Sequence, residues 1–203
     1  TIDVADVSLS PNNVTETADE AALAVGSNAS STAETVAGQL NAAGTNVTYD
    51  FSTGNNGTGN NGALTLNSNG SYSYTLTSPV ASGAVQGANT VNGVEVFNYT
   101  ATDANGNSVD GTITINVIDD VPSISGNALV RLDDDALTDG NPGGRGDNPD
   151  SQNVSGTLAH SFGADEGTLL LSANGAPRGF DYNLNGDGTV LTISQNGTDV
   201  IRV

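Results

Sequence analysis

Apolar and polar residues alternate with a period of two over several stretches, the mark of strands that bury one face. Between Gly62 and Thr77, Leu64 and Leu66 flank Thr65. After Asn67-Ser68-Asn69-Gly70 the alternation resumes at Tyr72, Tyr74 and Leu76. An Asn-Gly between alternating runs is the strongest short-range signal for a hairpin. A second hairpin is predicted further on. Phe97, Tyr99 and Ala101 alternate with Val96, Asn98 and Thr100, the turn is Asp103-Ala104-Asn105-Gly106-Asn107, and Ile113, Ile115 and Val117 line one face of the return strand. Helical periodicity is weak and confined to 16–25 and 31–40, Ala/Ser/Thr-rich stretches that suit a loop or short strand equally well. The pattern predicts an all-β protein of short strands arranged as sandwiches.

The alternation breaks at Asp119-Asp120-Val121-Pro122, where Pro cannot continue a central strand. Residues 1–120 are rich in Asn, Thr and Ser, whereas 121–203 open with a tract dense in Asp, Gly and Pro before strands return. Two domains are therefore expected, 1–120 and 121–203, the second short enough to be incomplete or split by an insertion. Thr1-Ile2-Asp3-Val4-Ala5-Asp6 matches Thr114-Ile115-Asn116-Val117-Ile118-Asp119 at four of six positions, an offset of 114 − 1 = 113 residues. Self-similarity at that spacing predicts a piece of a tandem array of domains.

Charge changes the picture most. The chain of 203 residues carries 23 Asp plus Glu against Arg131, Arg145, Arg178 and Arg202, with no Lys, for a net charge of −19. Such a surface repels phosphate backbones and excludes sequence-independent nucleic-acid binding. With no Cys there is no disulfide, thiolate metal site or thiol nucleophile. No apolar run reaches the ~18 residues of a membrane helix. His160, the one histidine, shares a strand face with Leu158 and Phe162 and reads as structural; no nucleophile motif accompanies it. Composition does not exclude paired-carboxylate glycosidase chemistry, but that chemistry usually needs an aromatic-lined cleft and only 4% of the residues are aromatic. No catalysis is expected.

An acidic chain of this kind opposes its own compaction unless cations condense on it. Hard oxygen donors select Ca²⁺ or Mg²⁺, and flexible Asp/Asn loops favour Ca²⁺. The candidate ligands are Asp119 and Asp120 in the linker, Asp103 and Asn105 in the hairpin turn, Asp3 and Asp6 near the start, Asp133, Asp134, Asp135, Asp147 and Asp150 in the acidic tract, and Asp165. The same residue types also build turns and solvated surfaces. Asp103-x-Asn105-x-Asn107 opens like an EF-hand loop, but its twelfth position is Thr114, so it is not one. In a seven-stranded sandwich the last strand ends at the pole opposite the entry. Asp103 and Asn105 are thus expected near Asp3 and Asp6, and Asp119 and Asp120 at the joint with the next domain, where carboxylates from both sides converge on one ion.

Gly62 to Tyr74, and Val96 to Asn107 followed by Gly111 to Val117, resemble the strand–turn–strand signatures of cadherin-like, VCBS-type repeats. Those repeats build giant bacterial surface adhesins of the RTX type, exported by type I secretion. Leu132 to Leu137, Val154 to Asp165 and Leu191 to Gly197 are similar to another repeat of the same proteins, found near their ligand-binding end, where a β-sandwich can be split by a sugar-binding insertion. The resemblance implies tandem Ig-like or cadherin-like sandwiches joined by a calcium-binding linker. It also implies an extracellular, cell-surface stalk supporting adhesion and biofilm formation. The partners would be neighbouring domains of the same chain, and glycans or peptides bound through adjacent modules. The alternative is a calcium-dependent sugar- or peptide-binding module, with Asp147 and Asp150 in the bridging loop.

Overall fold

In chain order the strands are β1 (Val14–Asp19), β2 (Thr35–Gln39), β3 (Thr48–Phe51), β4 (Gly62–Leu66), β5 (Ser71–Leu76), β6 (Thr90–Thr102), β7 (Ser108–Ile118), β8 (Ser123–Ile124), β9 (His160–Ser161), β10 (Phe180–Leu184), β11 (Leu191–Gln195) and β12 (Thr198–Arg202). The computed structural model describes residues 8–81, 90–127, 130–141, 143–145 and 154–203. The protein is all-β; among the described residues the helical elements are two single 3₁₀ turns, Glu20–Ala22 and Asp134–Ala136.

Alternation along β4 to β7 sends Leu64, Tyr72, Tyr74, Leu76, Phe97, Tyr99, Ala101, Ile113, Ile115 and Val117 into one core. Both predicted hairpins form, β4 with β5 and β6 with β7. Seven strands make two sheets, β1-β7-β6-β3 and β2-β5-β4. This division into four and three, with a common core between them, is an immunoglobulin-like sandwich. Each buried Leu or Ile contributes about 1.5–3 kcal/mol against its exposed state. The aromatic residues add shape: Tyr49 with Tyr99 and Tyr74 with Phe97 each meet at 5.9 Å between ring centroids.

Tyrosine hydroxyls fasten the chain ends of this sandwich. Tyr99 Oη donates to the Asn12 carbonyl at 2.7 Å and accepts from the Asn12 amide at 3.0 Å, pinning the entering segment. Tyr72 Oη donates to Glu16 Oε1 at 2.5 Å, joining the two sheets from the inside. Most pairings are antiparallel, but β1 runs parallel to β7, with Asp19 opposite Ile118. The weakly helical stretches resolve as β1 with its following 3₁₀ turn, and as β2. Pairing with distant strands decides them, since their β-branched Val and Thr residues fit a pleated surface.

Contact density divides the chain into Thr1–Asp165 and Glu166–Val203. This division lies beyond the boundary expected after Asp120. The reason is local: β8 pairs with β9, and Gly163 returns against Asp120, so the segment after the linker folds back onto the first sandwich. The second unit is an antiparallel meander, β10-β11-β12. Its second hairpin turns on Asn196 and Gly197, both at positive φ (51° and 78°), the pairing a two-residue turn demands. Leu191 and Ser194 are its buried positions, and β12 is exposed throughout.

A candidate cation site at the exit pole of the sandwich

Because β1 and β7 are parallel and in register, the residues that follow them leave the sandwich at the same pole. Those residues are Glu20 and Asp119. Asp19 caps the 3₁₀ turn that begins at Glu20, its Oδ1 accepting the Ala21 amide at 3.0 Å. The turn leaves Glu20 fully buried, 0% exposed. Glu20 Oε1 accepts the Val80 amide at 2.5 Å and Oε2 accepts the Asp120 amide at 3.3 Å. Asp165 arrives from the far side of the linker, after β9. One oxygen from each of Glu20, Asp119 and Asp165 lies within 4.8 Å of the other two. Asp119 is 5% exposed, and its Oδ1 is buried without a hydrogen-bond partner.

Three carboxylates at this spacing oppose one another. Burial pushes the Glu20 carboxyl up from its ordinary pKa; the Val80 and Asp120 amides act against that, and the charges of Asp165 and Asp119 add to it. Burial also raises Asp165, with the charges of Asp119 and Asp120 adding to the effect. A buried polar atom left unpartnered costs about 1–3 kcal/mol. The donor set fits a hard divalent cation. Oxygens about 2.4 Å from one Ca²⁺ are separated by no more than about 4.8 Å, and the carboxylates of Glu20, Asp119 and Asp165 meet that limit. Glu20, Asp119 and Asp165 would hold it, and it would supply the positive charge that Asp119 Oδ1 lacks.

Asp120, expected among the ligands, is engaged differently. Its Oδ2 accepts the Ser27 amide at 2.7 Å and its Oδ1 accepts the Ser27 hydroxyl at 2.5 Å. Gly163 crosses close behind it: a Cβ added there would stand 2.9 Å from Asp120 Cγ, and its φ of +73° lies in the left-handed region that favours glycine. That close passage brings Asp165 to the pole.

The hairpin turn accounts for its own acidic residue. Asp103 Oδ1 accepts the amides of Asn105 and Asn107, each at 2.9 Å, and Oδ2 accepts Asn107 Nδ2 at 2.9 Å. These bonds, the Asn107 side chain foremost, hold its carboxyl below the ordinary range. Asn105 contributes a backbone donor to this turn. Gly44 lies between Leu9 and Asp103, so the entering chain passes this turn; Asp3 and Asp6 lie outside the described residues, as do Asp147 and Asp150.

Asp133, Asp134 and Asp135 also bring three carboxylate oxygens within 4.8 Å. Their turn repeats that of Glu20. Asp133 (φ −123°, ψ 121°) caps it through the Asp135 amide, as Asp19 (φ −125°, ψ 122°) caps the first through Ala21. Asp134 thus stands where Glu20 stands, but on an exposed surface. His160 is exposed and meets the Phe162 ring edge-on at 4.8 Å. In the second unit, a shallow groove across β10 to β12 is bordered by Leu184, Val200 and Arg202 and has no aromatic wall.

Glu20 is absent from the candidates drawn from the sequence. It follows Asp19 and precedes Ala21 and Ala22, and the signal that would reveal it is the parallel pairing of β1 with β7, which no local pattern encodes.

No family model matches this sequence, and no curated protein matches it. Among solved structures it is similar to the I-band fragment I67-I69 from titin, at 12% identity and a TM-score of 0.26. The likeness covers 98% of this chain, which spans 64% of that one. The superposition is loose; the all-β sandwich rests on the strand pairings themselves.

Proposed function

We propose that this chain is a calcium-stiffened stalk segment of a bacterial surface adhesin, extracellular and without catalysis. One observation carries the reading. The buried, unpartnered Asp119 Oδ1 faces a second buried carboxylate, Glu20, and a third, Asp165, from beyond the linker. Two of the three follow strands of the sandwich and the third belongs to the segment that folds back on it. A shared ligand set therefore converts a flexible Asp-Asp-Val-Pro linker into a fixed joint. The resemblance of the two hairpins to adhesin repeats supports the setting, and the high negative charge supports a dependence on external cations. Neighbouring domains are then the direct partners, with glycans or peptides engaged through adjacent modules to serve adhesion and biofilm formation.

Extracellular calcium modules bind at about 10⁻⁴ to 10⁻³ M, so export from a calcium-poor cell interior would itself trigger stiffening. Scanning calorimetry in chelator, in Mg²⁺ and in Ca²⁺ tests the reading. The transition of the sandwich is expected to rise in Ca²⁺, less in Mg²⁺, and to fall in chelator. An unchanged melt in all three refutes it.

A further inference from the structure

We infer that Ser27 is a positioning residue for this site: it clasps the Asp120 carboxylate and so holds the linker where Asp119 Oδ1 faces Glu20 and Asp165. The inference rests on the proposed reading of that site. Asp120 is 3% exposed, and the Ser27 amide and hydroxyl take one each of its carboxylate oxygens, at 2.7 and 2.5 Å.

Ser27 is itself fixed relative to Glu20. The Leu23 amide bonds the Glu20 carbonyl at 2.9 Å, the Gly26 amide bonds Leu23 at 2.8 Å, and the Asn28 amide returns to Ala21 at 2.8 Å. The loop is tight enough that a Cβ on Gly26 would stand 2.4 Å from the Ala21 carbonyl oxygen. Its start therefore supplies a ligand candidate and its end supplies the clasp. Glu20 Oε2 takes the amide of Asp120 while Ser27 takes its side chain. Gly163 closes over the same carboxylate from the other side. Asp120 is held between the loop and the returning segment, and its orientation sets that of Asp119 beside it.

Groups that orient metal ligands without touching the metal affect affinity by about 10- to 100-fold. Ser27→Ala removes the hydroxyl donor and keeps the amide; Ser27→Thr restores a hydroxyl. The residue is exposed, so neither change disturbs the core. The experiment pairs calorimetric Ca²⁺ titration with amide hydrogen exchange of residues 119–121 in chelator. Ser27→Ala is expected to bind Ca²⁺ about tenfold more weakly and to exchange faster in chelator, with Ser27→Thr close to the parent in both. If the parent binds Ca²⁺ and Ser27→Ala matches it in affinity and exchange, the clasp is overturned and the site reading stands. If the parent binds no Ca²⁺ yet Ser27→Ala still exchanges faster in chelator, the site reading fails and the clasp stands.

Discussion

Asp119→Asn separates a metal ligand from a structural carboxylate by reversing sign with conditions. At the outer limit of their separation, 4.8 Å, and an effective dielectric of 20, two full charges repel by about 3.5 kcal/mol. Asp119 faces two such neighbours. Relief is limited because a carboxyl can take up a proton instead, which at neutral pH costs about 3–4 kcal/mol for an ordinary pKa near 4.3. Without metal, neutralising Asp119 is therefore expected to stabilise the sandwich by about 2–4 kcal/mol. The transition should rise by roughly 5–15 °C. With about 10 mM Ca²⁺ and a dissociation constant of about 10⁻⁴ to 10⁻³ M, the parent gains about 1.4–2.7 kcal/mol, and the variant gains little. Tyr49, Tyr72, Tyr74 and Tyr99 all lie in the sandwich. Thermal unfolding followed by tyrosine near-UV dichroism therefore reports mainly on it, Tyr182 of β10 being the one tyrosine of the second unit. The expected result is a variant that melts above the parent in chelator and responds weakly to calcium. A variant that melts below the parent in chelator, yet shifts by the same amount in calcium, refutes the assignment of Asp119.

The pH dependence in chelator has a definite sign. Glu20 and Asp165 have folded pKa values raised by burial, so the folded state holds more protons and stability falls as pH rises through those raised values. Unfolding midpoints measured from the ordinary carboxylate range upward should decline in chelator and stay level in Ca²⁺; a rise in chelator contradicts this. Asp103 has a lowered folded pKa, so its contribution is lost only at lower pH, as pH falls through that value. Asp103→Ala removes the acceptor of three bonds in the hairpin turn and should lower the midpoint of denaturant unfolding, with calorimetric calcium affinity unchanged; weakened binding would place Asp103 in a site. Gly163→Ala forces a Cβ to within 2.9 Å of the Asp120 carboxylate at positive φ. It should weaken calcium binding about tenfold or more by displacing Asp165, and equal affinity in titration would show that the close passage is dispensable.

The hairpins were legible because their signals are local. Leu64, Tyr72, Tyr74 and Leu76 alternate around an Asn/Gly turn, and so do the residues of β6 and β7, each with a pairing that short-range chemistry dictates. β1 was not legible, since Val14 to Asp19 owes its conformation to β7, almost a hundred residues away. The candidate site divides along the same line. Asp119 and Asp165 stand out as acidic residues beside a linker and after a Gly turn, whereas Glu20 depends on the parallel register. Asp103 and Asp120 look like ligands in sequence because a carboxylate that accepts hydrogen bonds from nearby amides or hydroxyls and one that binds a cation demand the same side chain. Only the donors around them, Asn107 in one case and Ser27 in the other, tell these uses apart.

The most direct test of the central claim is a crystal structure grown in millimolar calcium. The account predicts an ion bonded to oxygens of Glu20, Asp119 and Asp165 at about 2.3–2.6 Å. Those carboxylates standing without an ion in ample calcium would contradict it.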